Sequence, residues 1–162
     1  MGKHSAIEWT DHTFNPWWGC TKVSVACENC YAETWARRLG KAAWGCSSPR
    51  RFFSDQHWRQ PLLWNRECEN DRIRRRVFCA SMADVFEARD DLNIWRDRLW
   101  ELILKTPMLD WLLLTKRPEK IVSLVPWKKE WPFNIWVGTT IESQEWITRA
   151  EHLIKIPAKV RL

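Results

Sequence analysis

The second half of the chain alternates short apolar runs with amphipathic stretches. Apolar runs at 77–82, 111–114 and 133–137 predict strands. Residues 158–162 predict the beginning of another strand. The run at 111–114 shows no alternation of apolar and polar positions, which is typical of a strand covered on both faces. The runs begin about 23–33 residues apart, which is the length of a repeated strand–helix unit.

The stretches between these runs predict helices. Apolar residues repeat at helical spacing through 92–105, and we expect Asp91 to cap the start of that helix. Residues 119–125 predict a short helix, and a longer one is predicted to begin near Ser143. Parallel strands buried under crossover helices follow from this order, and both an open α/β sheet and part of a β/α barrel fit it.

We therefore expect an α/β fold, a partial (incomplete) β/α barrel of parallel strands in a single domain over 1–162. The sequence ends at 160–162, inside a predicted strand. We expect a truncated chain, or one whose remaining strands lie outside this sequence.

Composition fits one globular domain. The chain has 162 residues, of which 45% are hydrophobic and 28% charged, values that argue against a disordered protein. No apolar run approaches the roughly 18–20 residues of a membrane span, and the N-terminus lacks the apolar core of a secretory signal. We expect a cytoplasmic protein with no membrane association.

The positive charge is concentrated in one segment. Residues 35–76 hold eleven basic and four acidic residues, although the whole chain carries only +6. Residues 41–76 are too long for an ordinary connection and predict a basic insertion, which suggests contact with a nucleic-acid backbone. Trp44 and Trp58 are candidates for base stacking. The predicted positive rim consists of Arg50, Arg51, Arg72, Arg74, Arg75 and Arg76.

Polar residues follow each of three predicted strands. Ligands bind at the carboxyl ends of the strands in parallel α/β folds, so these residues are expected to face one site. Helix capping and loop polarity are the competing explanation. The predicted cofactor-binding residues are Asp84, Thr115, Lys116, Thr139 and Glu142.

Three cysteines carry the most specific signal. Cys20, Cys27 and Cys30 have the spacing C-x6-C-x2-C, between a short predicted strand at 8–10 and a helix predicted to begin near Cys30. Three thiolates without an obvious fourth ligand favour an iron–sulfur cluster with an open coordination position. A zinc site completed by His12 or Cys46 remains the alternative, because a closed zinc site needs four ligands. Three structural cysteines without a metal are the third reading.

The same segment resembles a known family. Residues 14–33 read FNPWWGCTKVSVACENCYAE, which is similar to the N-terminal signature of the three-cysteine phage gene-product-37/gene-product-68 family. The segments at the ends of the three predicted strands are also similar to segments of that family, and they read SMADVFE, LLLTKRPE and WVGTTIES. The resemblance covers essentially the whole chain and implies that family members continue past Leu162.

That family in turn resembles radical S-adenosylmethionine enzymes and, more distantly, the photoproduct lyases that repair DNA. The resemblance implies that Cys20, Cys27 and Cys30 hold a [4Fe–4S] cluster whose unique iron binds S-adenosylmethionine. It further implies reductive cleavage to a 5′-deoxyadenosyl radical, which requires an electron donor such as a partner protein. Nucleic acid is the expected substrate class.

The sequence departs from the radical-enzyme pattern at three places. Six residues rather than three separate Cys20 and Cys27, and Asn29 replaces the aromatic residue that usually precedes the last cysteine. The segment 81–84 stands where a Gly-Gly-Glu element is expected, which makes Asp84 the candidate for binding the cofactor's amino group. A zinc-stabilised nucleic-acid-binding module and an inactive remnant are the alternative functions.

Overall fold

A computed structural model describes residues 5–128 and 130–162. The strands of this part of the chain are β1 (His12–Thr13), β2 (Trp17–Trp18), β3 (Arg51–Phe52), β4 (Arg75–Cys79), β5 (Leu109–Thr115), β6 (Ile135–Thr139) and β7 (Val160–Arg161). The α-helices are α1 (Tyr31–Arg38), α2 (Asp55–Trp58), α3 (Gln60–Asp71), α4 (Asn93–Leu104), α5 (Ile121–Leu124) and α6 (Thr148–Ile154).

The central element is an open parallel sheet. Its strand order is β1-β4-β5-β6-β7, and every neighbouring pair is parallel. The predicted α/β fold with parallel strands is thus confirmed, whereas the strands described do not close into a barrel. Strands β2 and β3 form a separate antiparallel pair. None of the described helices combines the length and the apolar character needed to cross a membrane.

The sheet is buried on both faces, as the apolar runs predict. In β5, Trp111 and Leu113 have no exposed surface, and Leu112 on the opposite face is 2% exposed. A parallel strand with helices on both sides has this pattern because alternate side chains point to opposite, equally covered faces. Burial of each such large apolar side chain contributes roughly 1.5–3 kcal/mol.

Two local predictions were wrong. The first strand lies at His12–Thr13 rather than at 8–10, because the Thr10 hydroxyl accepts from the Phe78 backbone N–H, at 3.0 Å, and positions the next residues beside β4. Asp91 does not cap α4, because its carboxylate binds the Arg89 guanidinium, at 2.7 Å between Oδ2 and Nη2. A short 3-10 turn at Asp90–Leu92 precedes the helix instead.

The predicted basic insertion, 41–76, is largely folded against the sheet. Helices α2 and α3 lie within it, and their residues Trp58, Trp64 and Cys68 are buried in the main core. The segment is therefore a structural layer rather than a long solvated loop. Its charged residues occupy the outer surface of that layer, with the exception of Arg50, which is 5% exposed.

The half-buried imidazole of His57 generates a prediction about pH. Burial lowers the pKa of His57 below its ordinary value, and the 2.9 Å contact between Nε2 and the Asn15 carbonyl only partly offsets burial. The unfolded chain therefore binds the proton more readily, so the free energy of unfolding should fall as pH drops below about 6.5.

A His57→Gln variant should lose less stability than the wild type between about pH 7 and pH 5, since glutamine does not titrate there. Denaturant unfolding at several pH values measures the difference, with His152→Gln as the exposed histidine control. Parallel pH profiles for the wild type and His57→Gln would show that this contact plays no such role.

Candidate metal and cofactor site

The three predicted cysteine ligands border one cavity. Cys20, Cys27 and Cys30 line a space of about 340 Å³ beyond the carboxyl ends of β4 and β5. The cavity is also lined by residues 80–84, which follow β4, and by 115–117, at the end of β5. Across residues 5–128 and 130–162, no group of three His, Cys, Asp or Glu side chains is close enough to hold a single metal ion.

Gly19 fixes where the cysteine loop begins. Its backbone N–H donates to the Met82 carbonyl at 2.9 Å, and its φ of +115° lies in a region that side-chain-bearing residues rarely adopt. A Cβ at this position would lie 2.1 Å from the Ala43 carbonyl oxygen. The glycine therefore allows Cys20 to enter the cavity directly beside the end of β4.

Cys27 and Cys30 lie at the ends of short helical segments. Cys27 ends the 3-10 turn Val25–Cys27, and Cys30 directly precedes α1. Burial opposes ionisation of Cys27, but hydrogen bonds with the Val23 backbone and Ser24 outweigh it and lower the pKa of the thiol. The surroundings of Cys27 thus favour the thiolate, the form that binds metals.

Asp84 forms the base of the site and is already bonded. Its carboxylate accepts from the Thr115 hydroxyl at 2.7 Å and from the Arg117 guanidinium at 2.7 Å, and Phe86 N–H donates to it at 3.0 Å. The carboxylate is 8% exposed. Asp84, predicted to bind the cofactor's amino group, therefore lines the cavity, but its carboxylate already accepts hydrogen bonds from other groups of the protein.

Arg117 connects that carboxylate to the cysteine loop. One terminal nitrogen lies 3.7 Å from the Cys20 sulfur, and the other donates to the Thr21 carbonyl at 2.5 Å. Burial and the negative charge of Asp84 raise the pKa of Cys20 to about 12, while Arg117 acts in the opposite direction. Arg117 directly follows the predicted site residues Thr115 and Lys116, and its buried partner Asp84 lies 33 residues earlier in the chain.

Of the remaining predicted cofactor residues, Lys116 lines the cavity, and Thr139 and Glu142 lie outside its lining. Lys116 lines the cavity, and its Nζ lies 2.7 Å from the Thr140 hydroxyl. Thr139 is not in the cavity wall, because its hydroxyl donates to the Thr115 carbonyl within the sheet. Glu142 also lies outside the wall, where it accepts from the Ser24 hydroxyl and anchors the cysteine loop. Thr140, which is not among the predicted cofactor-binding residues, lines the cavity in place of its neighbour Thr139.

Arg50 is buried and bonds to several segments of the chain, so it does not form part of an exposed rim. Its guanidinium forms two hydrogen bonds with the Glu87 carboxylate, at 2.6 and 3.1 Å, and neither side chain is more than 4% exposed. It also donates to the Ala43 and Ser48 carbonyls at 2.9 Å and to the Thr21 hydroxyl at 3.0 Å. Arg50 therefore holds together the chain segments around Cys20.

The other predicted arginines do not form one rim around the cavity. Arg74, Arg75 and Arg76 lie at the amino end of β4, whereas the cavity lies beyond its carboxyl end. Arg74 pairs with Asp110 at 2.5 Å, and Arg75 pairs with Asp71. The exposed Arg72 ends α3 on the same side, since β4 begins three residues later.

Arg51 and the two candidate tryptophans are placed separately. The exposed Arg51 guanidinium stacks on Trp18, 4.6 Å from the ring centre, and Trp18 packs with Met82 in the cavity wall. Trp44 borders the cysteine cavity. Trp58 is 3% exposed, so it is not available for base stacking.

A family model described as "Protein of unknown function (DUF5131)" matches residues 4–162. The chain belongs to the DUF5131 family. No curated protein matches the chain, and no solved structure does. The match covers the cysteine loop, the parallel sheet and both buried ion pairs of the site, so these features lie inside the DUF5131 region.

The adjacent arginines Arg50 and Arg51 allow a matched test of the buried ion pair. Arg50→Met leaves the Glu87 carboxylate buried and unpaired, which should cost about 3–5 kcal/mol of the free energy of unfolding. Arg51→Met removes the exposed contacts of its guanidinium with the Trp18 and Phe53 rings, and each contact is expected to contribute about 0.5–1 kcal/mol. Chemical denaturation of both variants measures these values, and equal losses would contradict the role assigned to Arg50.

Proposed function

We propose that this protein binds a [4Fe–4S] cluster through Cys20, Cys27 and Cys30 and acts as a radical S-adenosylmethionine-like enzyme on nucleic acid. The observation that carries the proposal is the placement of the three thiols around one cavity at the carboxyl ends of parallel strands. Ligands bind at this edge in parallel α/β folds. The cysteine segment resembles the three-cysteine phage family, and that family in turn resembles radical enzymes, which supports the same chemistry.

The donor set of the cavity supports a cluster with one open iron. Its lining contains three cysteines, and the single carboxylate there, Asp84, is bonded to Arg117 and Thr115. Iron–sulfur clusters are held mainly by cysteine thiolates. Three thiolates leave one iron without a protein ligand, so that iron is available for a small molecule. When bound, the cluster would supply the electron that cleaves the sulfonium of S-adenosylmethionine.

The chain's own residues would bind and orient the small molecule. The Lys116 ammonium lines the cavity and is 29% exposed, so it can make a charge-assisted hydrogen bond to a ligand carboxylate. Arg117 is held by Asp84 and keeps the Cys20 loop in place through the Thr21 carbonyl. Trp44, Phe78 and Met82 supply apolar walls that would keep water from the reacting atoms.

Nucleic acid is the proposed substrate class because of charge. The chain carries a formal net charge of +6 and has a pI of about 9.2. A positive protein attracts a phosphate backbone through a salt-dependent, sequence-independent interaction. Arg51, stacked on Trp18 beside the cavity wall, is the predicted arginine whose position suits this contact.

Iron and sulfide analysis after anaerobic reconstitution tests the proposal. The wild type should bind about four irons per chain, the content of one cluster. Cys20→Ala, Cys27→Ala and Cys30→Ala should each lose more than half of that iron, since each removes a ligand. Cys68→Ala should retain it, because Cys68 lies in the main core away from the cavity.

Two results would contradict the cluster assignment. One is stoichiometric zinc without iron, which would favour the zinc-stabilised module, and in that case Cys46→Ala tests Cys46 as its fourth ligand. The other is iron content unaffected by the three cysteine substitutions. Titration with S-adenosylmethionine, followed by the visible spectrum of the reconstituted protein, tests the cofactor separately. A spectrum that does not change would remove that cofactor while leaving the cluster.

A further inference from the structure

A second, larger cavity adjoins the cysteine cavity. It has a volume of about 620 Å³, and Thr21, Val23, Lys116 and Arg117 border both spaces. We call it the cationic cavity, because its charged lining has more basic than acidic residues. The charged lining residues are Arg89, Lys116, Arg117, Lys120 and Arg149 against Glu87 and Glu119.

The pairing of these charges leaves positive charge in the cationic cavity. Glu87 is neutralised by Arg50, a residue that does not line this space. Lys116 and Arg149 share a single carboxylate, that of Glu142, at 3.5 and 2.6 Å. Arg89 is paired with Asp91, and Arg117 with Asp84. Within residues 5–128 and 130–162, the exposed Lys120 and Glu119 form no ion pair, and their charges balance each other. The excess positive charge is therefore that of Lys116 and Arg149 over Glu142. The lining therefore favours an anionic ligand.

Arg149 supplies an independent sign of a missing partner. It is 3% exposed, and its Nη1 donates to the Thr140 carbonyl and the Glu142 carboxylate. Its Nη2 is buried and has no hydrogen-bond partner in the described part of the chain. Buried polar groups are normally paired, so this guanidinium, which belongs to a lining residue of the cationic cavity, has one donor left for an acceptor. Trp146 holds the guanidinium in place, with 4.2 Å between the guanidinium carbon and the ring centre.

We propose that the cationic cavity binds a phosphate monoester, whose oxygens accept from Lys120 and Arg149. A phosphate monoester carries about −1.5 to −2 charges at pH 7 and offers three acceptor oxygens, which matches this excess of donors. The volume lies within the roughly 300–1,000 Å³ of small-molecule sites, so a ligand larger than free phosphate, such as a nucleotide, fits. The proposal stands on these residues alone and does not require a cluster.

Calorimetric titration with three probes tests the site. Inorganic phosphate and adenosine monophosphate should both bind saturably, and adenosine, which lacks the phosphate, should not. Lys120→Gln should weaken both affinities about twofold to fivefold, the effect of losing one exposed charge. Arg149→Gln should weaken them about tenfold or more, since it removes a buried charged donor. The control is Lys155→Gln, an exposed lysine outside the cavity, which should bind like the wild type.

The probes also separate the two sources of phosphate. Adenosine monophosphate binding at least tenfold tighter than phosphate identifies a nucleotide site, and equal affinities identify a site for the phosphate group alone. Absence of saturable binding by both anions overturns the proposal, and so does adenosine binding as tightly as its monophosphate. Wild-type affinity in Lys120→Gln likewise overturns it, and that variant decides the matter if Arg149→Gln does not fold.

Discussion

The buried ion pair between Arg50 and Glu87 is the constraint on which the candidate site depends. Two fully desolvated charges are tolerated in a protein only when geometry is good and the remaining donors are satisfied. Arg50 meets that condition because the Ala43 and Ser48 carbonyls and the Thr21 hydroxyl take its other hydrogens. One side chain thereby joins the loop before β3, the cysteine loop and the segment after β4.

A second buried pair, between Asp84 and Arg117, repeats this arrangement one strand along. Asp84 follows β4 and Arg117 follows β5, so the pair ties together the ends of two neighbouring parallel strands. Arg117 then bonds the Thr21 carbonyl, next to Cys20. Two guanidinium groups thus hold the cysteine loop, together with the hydrogen bond between Ser24 and Glu142, and its three cysteines border the cavity.

Sequence patterns predicted the sheet well because β4, β5 and β6 each contain at least three consecutive apolar residues. The same patterns could not predict Arg50, because a buried arginine resembles a solvated one until its partner Glu87, 37 residues later, is known to be near. The exclusion of Arg74–Arg76 from the site was predictable, since residues that precede a strand lie at its amino end. Thr139 and Glu142 show another limit of the sequence patterns. A residue that follows a strand lies at the correct edge of the sheet, but its position in the sequence does not determine whether its side chain lines the cavity.

Mössbauer spectroscopy of protein reconstituted anaerobically with iron-57 tests the central claim most directly, because it distinguishes individual irons. Three thiolates around one cavity predict a cluster in which about one iron in four differs from the rest, since it has no cysteine ligand. Addition of S-adenosylmethionine should change the isomer shift of that iron and leave the other three unaltered. Four equivalent irons that do not respond to the ligand, or a protein that takes up no iron, would contradict the account.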